Sequence, residues 1–154
     1  DHTALLREQV FLLTAEIMGQ IDHDGGGQIY RDGLTHILDT PEFSSGEGAQ
    51  KSAHRSAHKI VRVFEQHVLL EAILDEYRAA DGVQVVINGE GRFRELEDIS
   101  LVLGSYGVSE QATGILGVIG PLRMSYGRSI GAVRFVAALL SEKIEDMYGY
   151  QAKL

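Results

Sequence analysis

The 154-residue chain has no cysteine and no tryptophan. Without cysteine there are no disulfides and no thiol chemistry, which fits a reducing, cytoplasmic setting. Long apolar runs are missing too: none approaches the ~20 residues needed to cross a bilayer, and no charged-then-apolar leader opens the chain. Proline occurs twice, and both Pro41 and Pro121 fall where an element is expected to end. A positive charge balance is also lacking. The formal net charge of −8 repels nucleic acid and does not favour anionic lipid, so the chain alone is a poor DNA binder. The remaining composition, 44% hydrophobic and 23% charged, is that of one ordinary globular domain with enough length to bury a core. The first residue is Asp1 rather than methionine, so the expectation is a fragment with something functional upstream.

Periodicity predicts a helix over residues 2–21, with Leu6, Val10, Leu13, Ile17 and Ile21 on one stripe. An Asp/Gly-rich loop follows, then a short strand over 28–31 closed by Asp32-Gly33, and one helical turn over 34–38. A long helix is expected over 47–80, with Ala53, Ala57, Ile60 or Val61, Phe64, Val68, Ile73 and Tyr77 at approximate helical spacing on its inward side. The β-branched run Val83–Ile87 is a strand bounded by the turn residues Asn88-Gly89. Residues 92–98 suggest a helical turn. Strands follow at 99–103, ended by Gly104, and at 115–119, where weak alternation implies burial on both faces or a strand with little wet face. The last helix starts after Ser125, an expected N-cap. Its apolar residues Tyr126, Ile130, Val133, Ala137, Leu140, Ile144 and Met147 repeat like a heptad, which suits a helix lying on a sheet or a helix–helix seam. Strands gathered in the second half, with long helices around them, indicate an α+β fold.

Candidate chemistry is sparse. His54 and His58 are four apart on a helix, but zinc needs three or four ligands and the surrounding segment is basic. Lys51, Arg55, Lys59 and Arg62 form a positive stripe, either a wet helix face or a contact for an acidic or phosphate-bearing partner. Asn88-Gly89-Glu90-Gly91 lacks the rest of a phosphate-binding pattern, and Glu90 would repel phosphate. No GxSxG elbow exists, and Ser100 and Ser105 have no histidine nearby in sequence. The chain is therefore not read as an enzyme, and no metal or cofactor is expected. The most marked feature is the junction from Ile115 to Tyr126. Gly117 there implies close approach of another backbone, Gly120 would permit a positive φ, Pro121 stops the ladder, and Arg123 is free to reach a carboxylate across the domain. This is a structural corner.

The corner also carries a family resemblance. Val118-Ile119-Gly120-Pro121-Leu122-Arg123-Met124-Ser125-Tyr126 resembles the "VIGPTRMDY" signature of the HrcA family of bacterial heat-inducible transcription repressors, and Leu139-Leu140-Ser141-Glu142 is similar to that family's C-terminal helix. Three further stretches match in order. Gly33 to Phe43, including Pro41 and Glu42, is similar to "GxxNLLxxPEF"; Leu69 to Leu74 is similar to "LLxxL"; Ile99 to Val102 with Ser105-Tyr106-Gly107 is similar to "SLVxxxYG". Ser125 replaces an Asp, which can also cap a helix; Leu122 replaces Thr; and Asn88 to Gly91 departs from the family's "IGxEN" run.

The resemblance implies a repressor of three parts: a winged-helix domain reading an inverted-repeat operator (the CIRCE element) upstream of chaperone genes, a GAF-like domain, and a dimerisation segment inserted into it. On this basis residues 1–32 are expected to end the inserted segment and 33–154 to form the GAF-like regulatory domain, a mainly antiparallel sheet flanked by long helices. The signature residues Gly33, Pro41, Glu42, Phe43, Gly120, Pro121, Arg123, Met124 and Tyr126 are expected to be structural. Homodimer contacts are expected from the stripes of the first and last helices, foremost at Leu6, Val10, Leu13 and Ile17. Operator DNA would be met only through the missing N-terminal domain, the chaperonin GroEL is a further implied partner, and no membrane is involved. The alternative is a free-standing GAF-like sensor of a small molecule, or a partner-binding module.

Overall fold

The computed structural model describes residues 29–33, 47–78, 80–108 and 112–151. The chain divides into two compact units, Asp1–Asp32 and Gly33–Leu154. In the first, Ile29 to Asp32 are described and carry no regular structure, so the strand expected at 28–31 does not form there. The stripe Leu6, Val10, Leu13 and Ile17, and the residues Pro41, Glu42 and Phe43, lie outside the described residues.

The described part of the second unit runs α1 (Glu47–Glu65), α2 (His67–Tyr77), β1 (Val83–Ile87), two 3-10 turns (Asn88–Gly91 and Arg94–Leu96), β2 (Ile99–Val108), β3 (Ala112–Pro121) and α3 (Tyr126–Gln151). The strands form an antiparallel sheet in the order β1-β2-β3, with Val86 opposite Leu101 and Leu101 opposite Ile119. The fold is α+β, a three-stranded antiparallel sheet with helices.

The single helix expected over 47–80 is two helices, broken at Gln66, whose ψ of 93° is extended. Neither proline nor glycine causes the break. At about 100° per residue, a straight helix would set Ile73 roughly 140° around from Ile60. Both are fully buried in one cluster, and the break lets each segment turn its own apolar side inward. It also places Val68, expected in the core, just beyond the turn, where it is 78% exposed.

That cluster covers one sheet face. Ile60 and Val63 of α1 and Ile73 and Tyr77 of α2 pack with Val86, Leu96, Ile99, Leu101 and Leu103. Each such buried aliphatic side chain contributes about 1.5–3 kcal/mol by leaving water. The alternate residues of β2, Ser100, Val102 and Gly104, face α3, so this central strand is buried continuously from Ile99 to Gly104. The heptad-like stripe of α3 is taken up by this contact: Val133, Ala137 and Ile144 are buried, while Met147 is 50% exposed.

Two strand ends differ from expectation. Gly104 does not end β2, which continues to Val108. A Cβ at Gly104 would stand 2.7 Å from Cγ1 of Val133, so the glycine leaves room for that side chain to pack directly on the strand. Strand β3 extends over 112–121 as an edge strand, and Val118 is partly exposed. Val118 is therefore not buried on both faces of the strand, and among the described residues its apolar run lies beside a neighbour on one edge.

Candidate functional site

The corner joining β3 to α3 is built from hydrogen bonds within residues 121–129 and one that reaches back to the central strand. Pro121 pairs with Ile99 at the last rung of the ladder, where its missing N–H costs nothing. The Met124 N–H donates to the Pro121 carbonyl at 3.1 Å, closing the turn. The Tyr126 hydroxyl donates to the Leu122 carbonyl at 2.6 Å. With that proton committed, the fully buried Ser100 hydroxyl, 2.9 Å from Tyr126 Oη, is the donor of their mutual bond. Tyr126 thus ties the turn, the last helix and the central strand together. Ser125 precedes the helix, and its carbonyl accepts the Ser129 N–H at 3.0 Å.

Two expectations at this corner are corrected. Gly120 does not have a positive φ. A Cβ there would meet Met124 Sδ at 3.3 Å, so the glycine makes a seat for the Met124 side chain. Arg123 reaches no carboxylate among the described residues and is exposed. By contrast, the close approach expected at Gly117 is present: a Cβ would stand 2.7 Å from the Val102 carbonyl oxygen. Gly33 takes a φ of +92°, which glycine tolerates at no steric cost.

A second junction was not legible as a site. The β1–β2 connection holds three non-glycine residues at positive φ, Asn88, Glu90 and Asp98. Asn88 Oδ1 accepts the Asp98 N–H at 2.8 Å, Ser56 Oγ donates to the Asp98 carbonyl at 3.0 Å, and Lys59 Nζ meets Asp98 Oδ2 at 3.0 Å. Asp98 is therefore fastened from three sides. The usable signal was residue type, since Asn and Asp enter the left-handed region more readily than other side chains. This pairing also removes Lys59 from the positive stripe of α1; Arg55 and Arg62 stay exposed. The Lys51 and His54 side chains lie outside the described residues, and His58 is exposed.

A third tether joins the far end of the sheet to α3. The Gly107 N–H donates to Ser141 Oγ at 2.9 Å, and Ser141 donates to the Ala137 carbonyl at 2.8 Å. Chemically the described surface offers little. No three His, Cys, Asp or Glu side chains among the described residues gather to hold a metal ion. Burial pushes the Tyr106 hydroxyl above its usual range. Burial also raises Tyr77, as do Glu90 and Glu76, while Arg92 opposes them. Both phenols are thereby kept neutral, the wrong direction for a base or nucleophile. Tyr77 Oη is buried with no partner among the described residues. No described helix is long and apolar enough to cross a membrane.

The comparisons with known proteins agree with the sequence signature. The family described as "HrcA protein C terminal domain" matches residues 2–130. Similar proteins include the heat-inducible transcription repressors HrcA of Herpetosiphon aurantiacus and Chloroflexus aggregans. The first is 36% identical over 135 residues, covering 88% of this chain and 36% of that protein. The second is 37% identical over 146 residues, covering 92% and 38%. The chain thus spans little more than a third of the length of these relatives. A solved crystal structure of a protein described as hypothetical shares the fold, with a TM-score of 0.54 and 18% identity over 84% of this chain and 42% of that one. The relatives carry the name of a transcription regulator rather than of an enzyme, and the chain belongs to the HrcA C-terminal domain family.

Proposed function

We propose that the chain is the regulatory and dimerising portion of an HrcA-type heat-shock repressor, with a GAF-like domain over 33–154 and the end of an inserted dimerisation segment over 1–32. In the whole protein a separate N-terminal domain reads the inverted-repeat CIRCE operator, and two-fold symmetry matches its two halves. Leu6, Val10, Leu13 and Ile17 supply the primary dimer contact, GroEL sets the level of active repressor, and the setting is cytoplasmic. The observation that supports this reading best is the use made of the family signature. Residues 118–126 are spent on a joint between strand, turn, helix and central strand, with no reactive group among them. A net charge of −8 accords with a part that does not itself touch DNA.

The test is a mobility shift with an inverted-repeat duplex, using the full-length repressor and this chain in parallel. Binding by the full-length protein, none by this chain, and a dimeric mass for this chain in light scattering are expected. Operator binding by this chain alone would overturn the division of labour. The unpartnered Tyr77 hydroxyl favours a second reading, a small-molecule sensor with a polar ligand at that position. A thermal-shift screen of nucleotides and metabolites tests it, since a native-state ligand raises the melting point by mass action; no shift from any compound removes it.

A further inference from the structure

The last helix carries its charges in an order that disfavours an isolated helix. Arg128 stands in the first turn, which contains no acid, and the last turn contains no base. A cation at a helix N-terminus is opposed by the macrodipole. Local pairing does not compensate. Arg128 and Arg134 have no acid three or four residues away, whereas Glu142 has Glu145 and Asp146 at those distances, and like charges so placed destabilise a helix. Among the described residues Arg128, Arg134 and Glu142 make no ion pair.

These charges frame an apolar patch. At about 100° per residue, Arg128, Gly131, Phe135, Ala138 and Glu142 share the side of α3 turned away from the sheet-facing stripe. All five are exposed, and Phe135 is 43% exposed. The outer face is thus a band that reads basic, apolar, acidic. Arg128 and Glu142 are about 21 Å apart along the axis at 1.5 Å per residue, too far to neutralise one another within the helix.

We propose that this outer face of α3 docks a second copy of itself, antiparallel about a two-fold axis. If Phe135 of one helix lies opposite Ala138 of the other, Arg128 falls opposite the acidic stretch from Glu142 to Asp146, and the symmetry repeats the pairing at the other end. A basic-to-acidic band is complementary to its own reverse, which selects a second copy over an unrelated partner of single charge sign. Phe135 is the apolar anchor at the centre, with Gly131 and Ala138 leaving room for it. The proposal rests on the two-fold repressor read above, but it uses a surface separate from residues 6–17.

Symmetry supplies a charge-swap test on this chain, read by sedimentation velocity at low salt. Arg128→Glu alone and Glu142→Arg alone each place like charges together at both ends, so each should weaken self-association about tenfold. In an equimolar mixture the hetero-pair regains opposite charges at both ends, and association should return to within about twofold of the original. Arg94→Glu, an exposed reversal in the β1–β2 connection, controls for net charge and should change nothing. Phe135→Ser should weaken association while leaving the helical circular dichroism signal unchanged, because the side chain is exposed within one copy; its melting temperature should fall only by the share that the dimer contributes. Three results overturn the proposal: a chain that stays monomeric at tens of micromolar, reversals that leave association unchanged, or a mixture that does not recover. A dimer insensitive to the reversals would sink this surface and leave the two-fold repressor standing on residues 6–17. A monomer would count against both for this chain.

Discussion

Gly104→Ala tests the tight packing of Val133 in the last helix against the central strand. The added methyl would stand 2.7 Å from Cγ1 of Val133 and 3.7 Å from Cγ2 of Val83. Carbon atoms are comfortable at about 3.5–4.0 Å, so the first contact is roughly 1 Å too short. Val133 has little freedom to yield. It is buried, and a β-branched residue in a helix keeps one strongly preferred χ1 rotamer. Helix and sheet must therefore separate, or a side chain must leave its rotamer, at a cost of about 1–3 kcal/mol. Alanine returns about 0.4–1 kcal/mol by restricting the unfolded chain. The net expectation is a loss of about 1–2 kcal/mol, seen as a lower urea midpoint at unchanged slope and a melting point lower by about 2–8 °C. The decisive step is a double-mutant cycle with Val133→Ala. Trimming Val133 removes the colliding methyl groups, so the double variant should be more stable than the sum of the single effects by about 1 kcal/mol or more. Additivity within about 0.5 kcal/mol would refute the reasoning, because the two sites would then not be in conflict.

Other substitutions probe the remaining joints. Tyr126→Phe leaves the buried Ser100 hydroxyl and the Leu122 carbonyl without their partner and should cost about 1–3 kcal/mol. Adding Ser100→Ala should restore part of that loss, and strictly additive urea midpoints would argue against the shared hydroxyl. Asp98→Ala removes a side chain suited to positive φ together with the Lys59 contact, and should cost about 1–2 kcal/mol. Lys59→Met should add little on top of it, and a full additional loss would show that Lys59 acts elsewhere. Tyr77→Phe deletes a buried hydroxyl with no partner and should be neutral or stabilising by up to about 1 kcal/mol. A clear loss of stability would reveal a partner, such as a bound water. Finally, Tyr77 and Tyr106 hold their protons more tightly when folded than the usual value of 10.0. The folded state then binds more protons than the unfolded one above that pH. Their contribution to stability should be constant below about pH 10 and be lost as pH rises beyond it, and the loss should shrink in Tyr106→Phe. An undiminished loss in that variant would remove Tyr106 as its source.

The sequence by itself determined the elements whose signals are local. Val83–Ile87 is β-branched and ends at Asn-Gly, so strand and turn follow from side-chain shape and backbone freedom. The start of β2 at Ile99 and the period of the last helix were legible for the same reason, whereas residues 92–98, which hold the 3-10 turn at 94–96, read ambiguously. The order of four short matches was enough to indicate the family. Tertiary structure decided what depends on partners far along the chain. Gln66 breaks the long helix because Ile60 and Ile73 must reach one core, and no residue at the break signals it. Gly104 reads locally as a strand end, yet lies inside a strand because Val133 of the last helix packs there. Lys59 reads as part of a wet basic stripe until the fold brings Asp98, 39 residues away, within 3.0 Å. Ser100 and Tyr126 are separated by 26 residues, and their bond exists only once sheet and corner are assembled. Periodicity records which face of an element is apolar; what meets that face is set by packing, where long-range contacts outweigh local preference.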